Sequence, residues 1–271
     1  MNFTTQLIKK ISEKKSILCI GIDMDPDRIE IKSSPTLEDL RKYTLKVIDA
    51  TLDVAVAYKP NMAFFERWGS KGYQWLEEML EYIGKDSILI CDAKRGDIGN
   101  TARQYAISIF DHFGFDAVTV SPYMGSDSIS PFIERPEKGV FVLCLTSNPG
   151  ARELQLLRAD GKPVYMNVIK MVKRLNANRN CGLVVGATQG DEIAEVRRES
   201  GNLPFLIPGI GAQGGDLEVA VKEGNRDGVA IINVSRSILY AGDQSEGAIR
   251  ASARNFQEQM NDALFDLRRN L

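Results

Sequence analysis

The sequence predicts an α/β fold, a single (β/α)8 TIM barrel with extra N- and C-terminal helices, and three features carry that expectation. Eight short runs are rich in apolar and β-branched residues: 17–23, 54–59, 87–92, 116–120, 139–146, 182–186, 204–208 and 228–233. Each is continuously apolar, the pattern of parallel strands covered on both faces. Helix-period segments lie between them, and eight strands each followed by a helix match the count of a closed barrel. No low-complexity stretch or linker divides the 271 residues, so 1–271 reads as one domain.

The intervening elements follow in order. Residues 36–52 open with Thr36 and Asp39 at capping-box spacing and place Leu37, Leu40, Tyr43, Thr44, Val47 and Ile48 on one face. Residues 71–83 align Leu76, Met79, Leu80 and Ile83 and stop at Gly84, and residues 98–113 stop at Gly114. The longest connection, 147–163, reads as a loop decorating one face of the barrel. The last helix, 244–270, spaces Ile249, Ala253, Phe256, Met260, Leu264 and Leu267 by threes and fours.

Composition excludes several function classes. The 34 Lys and Arg against 36 Asp and Glu leave a net charge of −2, which argues against a nucleic-acid partner. No segment approaches the ~18 apolar residues of a membrane span, and the polar start MNFTTQLIKKISEKKS has no signal-peptide core. The four cysteines, Cys19, Cys91, Cys144 and Cys181, form no CxxC pair and each sits in an apolar run, as small hydrophobes of buried strands do. A cytoplasmic protein is expected. One histidine, His112, rules out metal sites built on several histidines, and it falls at a helix end, away from the strand ends where barrel chemistry sits. The expected chemistry is therefore carried by groups other than histidine.

The third strand ends in SILICDAKRGDIGNT. Residues two apart share a face of a strand, so Asp92 and Lys94 should point together into the barrel mouth, with Asp97 beyond a turning glycine. Carboxylates beside a lysine favour its ammonium form, which suits electrostatic stabilisation and proton donation better than Schiff-base chemistry. The first strand delivers Asp23 to the same mouth and the second delivers Lys59. Charges of alternating sign converging in one crevice are costly to bury unless interleaved, which favours a site over a structural ladder.

The seventh strand runs into IPGIGAQGGD and the eighth into NVSRS, the loops with which barrels frequently bind phosphate. Glycine backbone N–H groups can approach the oxygens and Arg236 can add a charge-assisted contact. GIGAQG at 209–214 formally matches a dinucleotide fingerprint, but the strand after it ends in Asn233-Val234-Ser235 with no acidic residue for a ribose.

Together these residues resemble the orotidine 5′-monophosphate decarboxylase family, in its longer bacterial branch. The motif Asp92-Ala93-Lys94-Arg95-Gly96-Asp97 is followed by Ile98 and Thr101 as in that family, and KPNMAFFERWG at 59–69 is similar too. The similarity runs from Gly21 to Arg236. It implies decarboxylation of orotidylate to uridylate without a cofactor, with Lys94 donating a proton to C6 of the pyrimidine. Asp92 would sit beside the leaving carboxylate, and Lys59 would complete the charged network and touch the ribose. Asp97, with Ile98 and Thr101, would reach into the neighbouring site of a homodimer. Asp23 resembles the ribose-hydroxyl ligand, Ser147 the serine that reads the pyrimidine edge, and Pro208 and Gln213 belong to the closing loop. Arg236 would grip the phosphate; many members have glycine where this chain has Ser235, whose N–H can still bind it. Two alternatives are a magnesium-dependent sugar-phosphate decarboxylase or aldolase of the same superfamily, and a non-catalytic sugar-phosphate-binding barrel. Relatives of the first kind place an acidic metal ligand where this chain has Lys59, and the second needs no proton donor.

Overall fold

Eight parallel strands close on themselves: β1 (Leu18–Ile22), β2 (Ala57–Pro60), β3 (Ile88–Arg95), β4 (Ala117–Val120), β5 (Gly139–Leu145), β6 (Cys181–Val185), β7 (Phe205–Pro208) and β8 (Ala230–Val234). Each pairs with its neighbours in sequence, and β8 pairs back onto β1 through Leu18 opposite Ile232 and Ile20 opposite Val234. The structure is a computed structural model and describes residues 1–30, 34–186, 190–210 and 216–269. Among these no helix is long and apolar enough to cross a membrane.

The two apolar faces of each strand go to different cores. Cys19, Ala57, Ile90, Ala117, Phe141, Val184, Leu206 and Ile231 pack inside the barrel, whereas Leu18, Ile20, Ile22, Val118, Val140, Leu183 and Ile232 join the helix-facing layer. That division is why the strands are apolar throughout. All four cysteines are buried and free, and burial raises each thiol.

The N-terminal helix Phe3–Lys14, capped by the Asn2 side chain, closes the bottom of the barrel. Phe3 and Leu7 belong to the interior cluster, and the Phe3 ring meets Phe141 edge-on at 5.8 Å. A Cβ on Gly139 would lie 2.5 Å from the Phe3 ring, so the plug requires glycine at the start of β5. At the other end of the chain, helix Glu246–Arg269 packs on helices Leu37–Thr51 and Leu217–Asn225. It buries Ile249, Ala253, Met260 and Leu267 and covers the seam where the barrel closes.

Helix Leu37–Thr51 carries the expected reciprocal Thr36–Asp39 capping box. The segment expected as one helix over 98–113 instead ends at Ile107 and continues as a π turn, Ser108–His112, with the Phe113 N–H on the Ser108 carbonyl. The 147–163 connection contains a 3-10 turn, Pro149–Glu153, and a two-stranded hairpin of Arg158–Ala159 with Lys162–Pro163. Arg197 is almost fully buried, donating to the carbonyls of Gly201, Leu203 and Gly224 while lying 3.5 Å over the Phe205 ring.

Removing the plug tests how far the interior depends on it. Phe3→Ala should cost about 3–5 kcal/mol of unfolding free energy, by loss of the buried ring and the cavity left behind. Denaturant unfolding measures this, and a loss below ~1 kcal/mol would show that the helix Phe3–Lys14 is dispensable to the barrel.

Candidate active site

The C-terminal ends of β1, β2 and β3 open on one mouth, and each delivers a charged side chain there. Lys59 comes from β2, buried at 5% exposure, and its Nζ lies 2.6 Å from Asp92 Oδ2. Lys94 reaches the other oxygen, with Nζ 2.6 Å from Asp92 Oδ1. Its side chain is half exposed, against 9% for Asp92, so the outer ammonium faces the mouth and the inner one is enclosed.

This convergence involves more than strand alternation. Opposite β4, Cys91 pairs with Val118 and Arg95 with Val120, so the stretch between Cys91 and Arg95 bulges out against Thr119 alone. Within the bulge Lys94 adopts a φ of +49°, a left-handed conformation that costs a non-glycine residue energy. Thr119, in β4 and almost fully buried, donates its hydroxyl to Asp92 Oδ1 at 3.0 Å and accepts the Lys94 backbone N–H at 3.0 Å. Sequence reasoning missed it; the available signal was a lone hydroxyl in the apolar run 117–120. Gly96 is the first residue after β3, and Gly99, with φ +53°, opens the helix that follows the motif.

Burial by itself would raise the Asp92 carboxyl, but the ammonium groups of Lys59 and Lys94 hold it far below the usual carboxylate range. Burial likewise opposes charge on Lys59, and Asp92 and Asp23 more than offset it, raising that lysine above its ordinary value. Asp92 and Lys59 are therefore both ionised at neutral pH, a fixed anion beside a fixed cation.

The remaining predicted residues divide by position. Asp23 follows β1, and its Oδ1 is buried with no hydrogen-bond partner among the described residues. The Tyr240 hydroxyl ties this loop down, donating to the Asp23 carbonyl and accepting the Asp25 N–H, both at 2.8 Å. Ser147 follows β5 against Gly186, where an added Cβ would lie 2.7 Å from the Ser147 nitrogen. Pro208 ends β7 opposite Asn233, and Ser235 and Arg236 follow β8, with Ser235 Oγ buried and unpartnered among the described residues. A Cβ on Gly21 would come within 2.9 Å of Ser235 Cβ, so glycine in β1 makes room for this end of the mouth. Gln213 lies outside the described residues.

Asp97, Ile98 and Thr101 are not brought into the Lys59–Asp92–Lys94 cluster of their own chain. Asp97 Oδ1 accepts the N–H of Ile98, and Ile98 and Thr101 are exposed. His112 is on the outer helical layer beside Glu77, at 3.0 Å. Among the described residues no three His, Cys, Asp or Glu side chains gather as a metal-ligand set.

Asp92→Asn should cost about 3–5 kcal/mol at pH 7, because it leaves Lys59 charged and buried without its main partner. A carboxyl with a depressed native pKa contributes stability above its unfolded value of ~3.9 and loses it as pH falls toward the native value. The stability gap between parent and variant should therefore narrow between about pH 4 and about pH 2. Urea unfolding at several pH values checks this; a gap constant across that range would contradict the charge assignment.

A profile described as the Orotidine 5′-phosphate decarboxylase / HUMPS family matches residues 16–251. A Cupriavidus metallidurans protein named orotidine 5′-phosphate decarboxylase is 46% identical over 270 residues, covering 97% of this chain and 98% of that protein. A Herpetosiphon aurantiacus protein of the same name is 46% identical over 239 residues, 88% of this chain and 89% of that one. The solved structure of Leishmania donovani OMP decarboxylase superposes with a TM-score of 0.86 at 38% identity, covering 98% of this chain and all (100%) of that one. A family match across most of the chain, joined to near full-length identity above 40%, makes this protein a member of the orotidine 5′-phosphate decarboxylase / HUMPS family.

Proposed function

We propose that the chain is an orotidine 5′-phosphate decarboxylase that converts orotidylate to uridylate and carbon dioxide, acting in the cytoplasm as a homodimer and without a cofactor. The observation that carries this reading is the Lys59–Asp92–Lys94 array at the barrel mouth, with Lys59 and Asp92 buried. In the reaction the bond from C6 of the pyrimidine to its carboxylate breaks and the electron pair stays on C6. Lys94 Nζ then gives its proton to C6, and the lysine is reprotonated from water. The proton taken up balances the carbon dioxide released.

Breaking that bond without an electron sink leaves a localised carbanion. An ammonium already in place beside it stabilises the developing charge with no reorganisation at the moment of reaction. Asp92 holds the ammonium there and would sit beside the leaving carboxylate, and Lys59 keeps Asp92 ionised and in register. Enzymes supply roughly 8–23 kcal/mol of barrier reduction, the upper end beyond what one lysine provides. Binding of the remote phosphate by Arg236 and the backbone at Ser235 supplies more, by drawing the substrate into place and desolvating the reacting end. Asp23 would take a ribose hydroxyl with its unpartnered oxygen, and Ser147 the pyrimidine edge.

Asp97, Ile98 and Thr101 complete the reading across a two-fold interface. Ile98 and Thr101 are exposed and Asp97 is half-buried, none of them joined to the Lys59–Asp92–Lys94 cluster, which supports their serving the site of a second copy. A lysine at the end of β2 disfavours the magnesium-dependent alternative, since a cation there repels a metal ion.

Purified protein should bleach the absorbance of orotidylate at an undiminished rate in EDTA; a strict metal requirement would sink the reading. Lys94→Ala should lower kcat by at least about a thousandfold, a few kcal/mol of transition-state stabilisation, while uridylate binding changes far less. Calorimetric titration alongside kinetics separates the two, and retained turnover would remove Lys94 from the role of proton donor. Mixing inactive Lys94→Ala and Asp97→Ala chains should regenerate activity, because the mixed dimer holds one mouth with both residues intact. No rescue despite demonstrated subunit exchange would count against the shared site.

A further inference from the structure

We propose that Thr119 is a positioning residue of the decarboxylation site: its hydroxyl bridges the bulge in β3 and sets the Lys94–Asp92 pair in its working geometry. The inference rests on the decarboxylase reading for its kinetic consequence and on the structure alone for its geometry.

The direction of the hydrogen bonds around Thr119 is forced by chemistry. A backbone N–H only donates and an ionised carboxylate only accepts, so the hydroxyl takes the Lys94 N–H at 3.0 Å and gives its own proton to Asp92 Oδ1 at 3.0 Å. The relay therefore joins the main chain of one catalytic residue to the side chain of the other. Asp92 has four lone-pair directions. Lys59 occupies Oδ2, while Lys94 and Thr119 share Oδ1, which leaves the carboxylate little freedom to rotate.

The backbone makes the same demand. Where β3 and β4 pair regularly, strand amides are served by the ladder, but between Cys91 and Arg95 the register breaks. A side-chain oxygen from β4 serves the Lys94 amide there, and the residue it holds has a φ of +49°. Without that acceptor a bulge amide loses its partner and the left-handed conformation loses a contact that opposes its strain. Thr119 lies behind Asp92, almost fully buried, so its effect on the reaction passes through the array and not through substrate contact.

The test is kinetic and structural on the full chain. Thr119→Val keeps the shape and removes the hydroxyl; kcat should fall about 10–100-fold, the scale of a misplacement near 1 Å. KM for orotidylate and affinity for uridylate should stay within about threefold of the parent. Thr119→Ser, which keeps the oxygen, should stay within about threefold of the parent kcat. Thr119→Ala replaces the valine variant if that one does not fold. A hydroxyl-free variant with parental kcat, a KM that rises as much as kcat falls, or a serine variant as slow as valine would each overturn the proposal. A crystal structure of the hydroxyl-free variant gives a readout free of turnover: Lys94 Nζ and Asp92 Oδ1 should part from 2.6 Å, or Lys94 should leave positive φ. An unchanged array overturns the positioning role even if the parent proves inactive on orotidylate, which is the outcome that overturns the decarboxylase reading alone.

Discussion

One carboxylate organises the mouth of this barrel. Asp92 accepts an ammonium on each oxygen, and two cations of like charge stay close to one another only because it lies between them. Burial makes the arrangement stiff as well as costly. In a medium poorer than water in screening, a missing partner leaves an uncompensated charge, so each member of the array depends on the others. Asp92 is held from three directions by residues of β2, β3 and β4, which ties the geometry of the site to closure of the barrel.

The barrel supplies that rigidity through its two cores. The inner core is closed at the bottom by Phe3 and Leu7 and ends above in the charged layer. The outer layer clamps the strands against the helices, and the last helix covers the seam between the first and last units. Glycines contribute where backbones or rings must come close. Gly139 admits the Phe3 ring, and Gly21 admits Ser235 at the opposite end of the barrel.

Among the described non-glycine residues with positive φ, which are Lys15, Lys94, Asp160, Arg179 and Gln244, Lys94 is the one that lies within a barrel strand. The left-handed Lys94 interrupts a strand, and the interruption aims its side chain back at Asp92. A regular strand would also place residues 92 and 94 on one face, so alternation led to the right pair for an incomplete reason. The bulge adds a requirement that alternation lacks, an oxygen from the next strand to serve the displaced amide, and Thr119 meets it.

By itself the sequence determined the class of fold, the order of strands and helices, and the strand ends on which Asp23, Lys59, Asp92 and Lys94 stand. These follow from periodicity and local chemistry: continuous apolar runs mark strands with two covered faces, and the Thr36–Asp39 box marks a helix start. The motif of residues 92–97 was legible because its chemistry is contiguous in the chain. Only the tertiary structure decided what depends on register between segments far apart. The bulge at Lys94, the hydroxyl of Thr119 beneath Asp92, the Tyr240 tie on the Asp23 loop and the burial of Arg197 are all of this kind. No local pattern announces them, because a threonine in an apolar run or an arginine on a helix has the same neighbours in sequence whether or not closure of the barrel brings a partner to it.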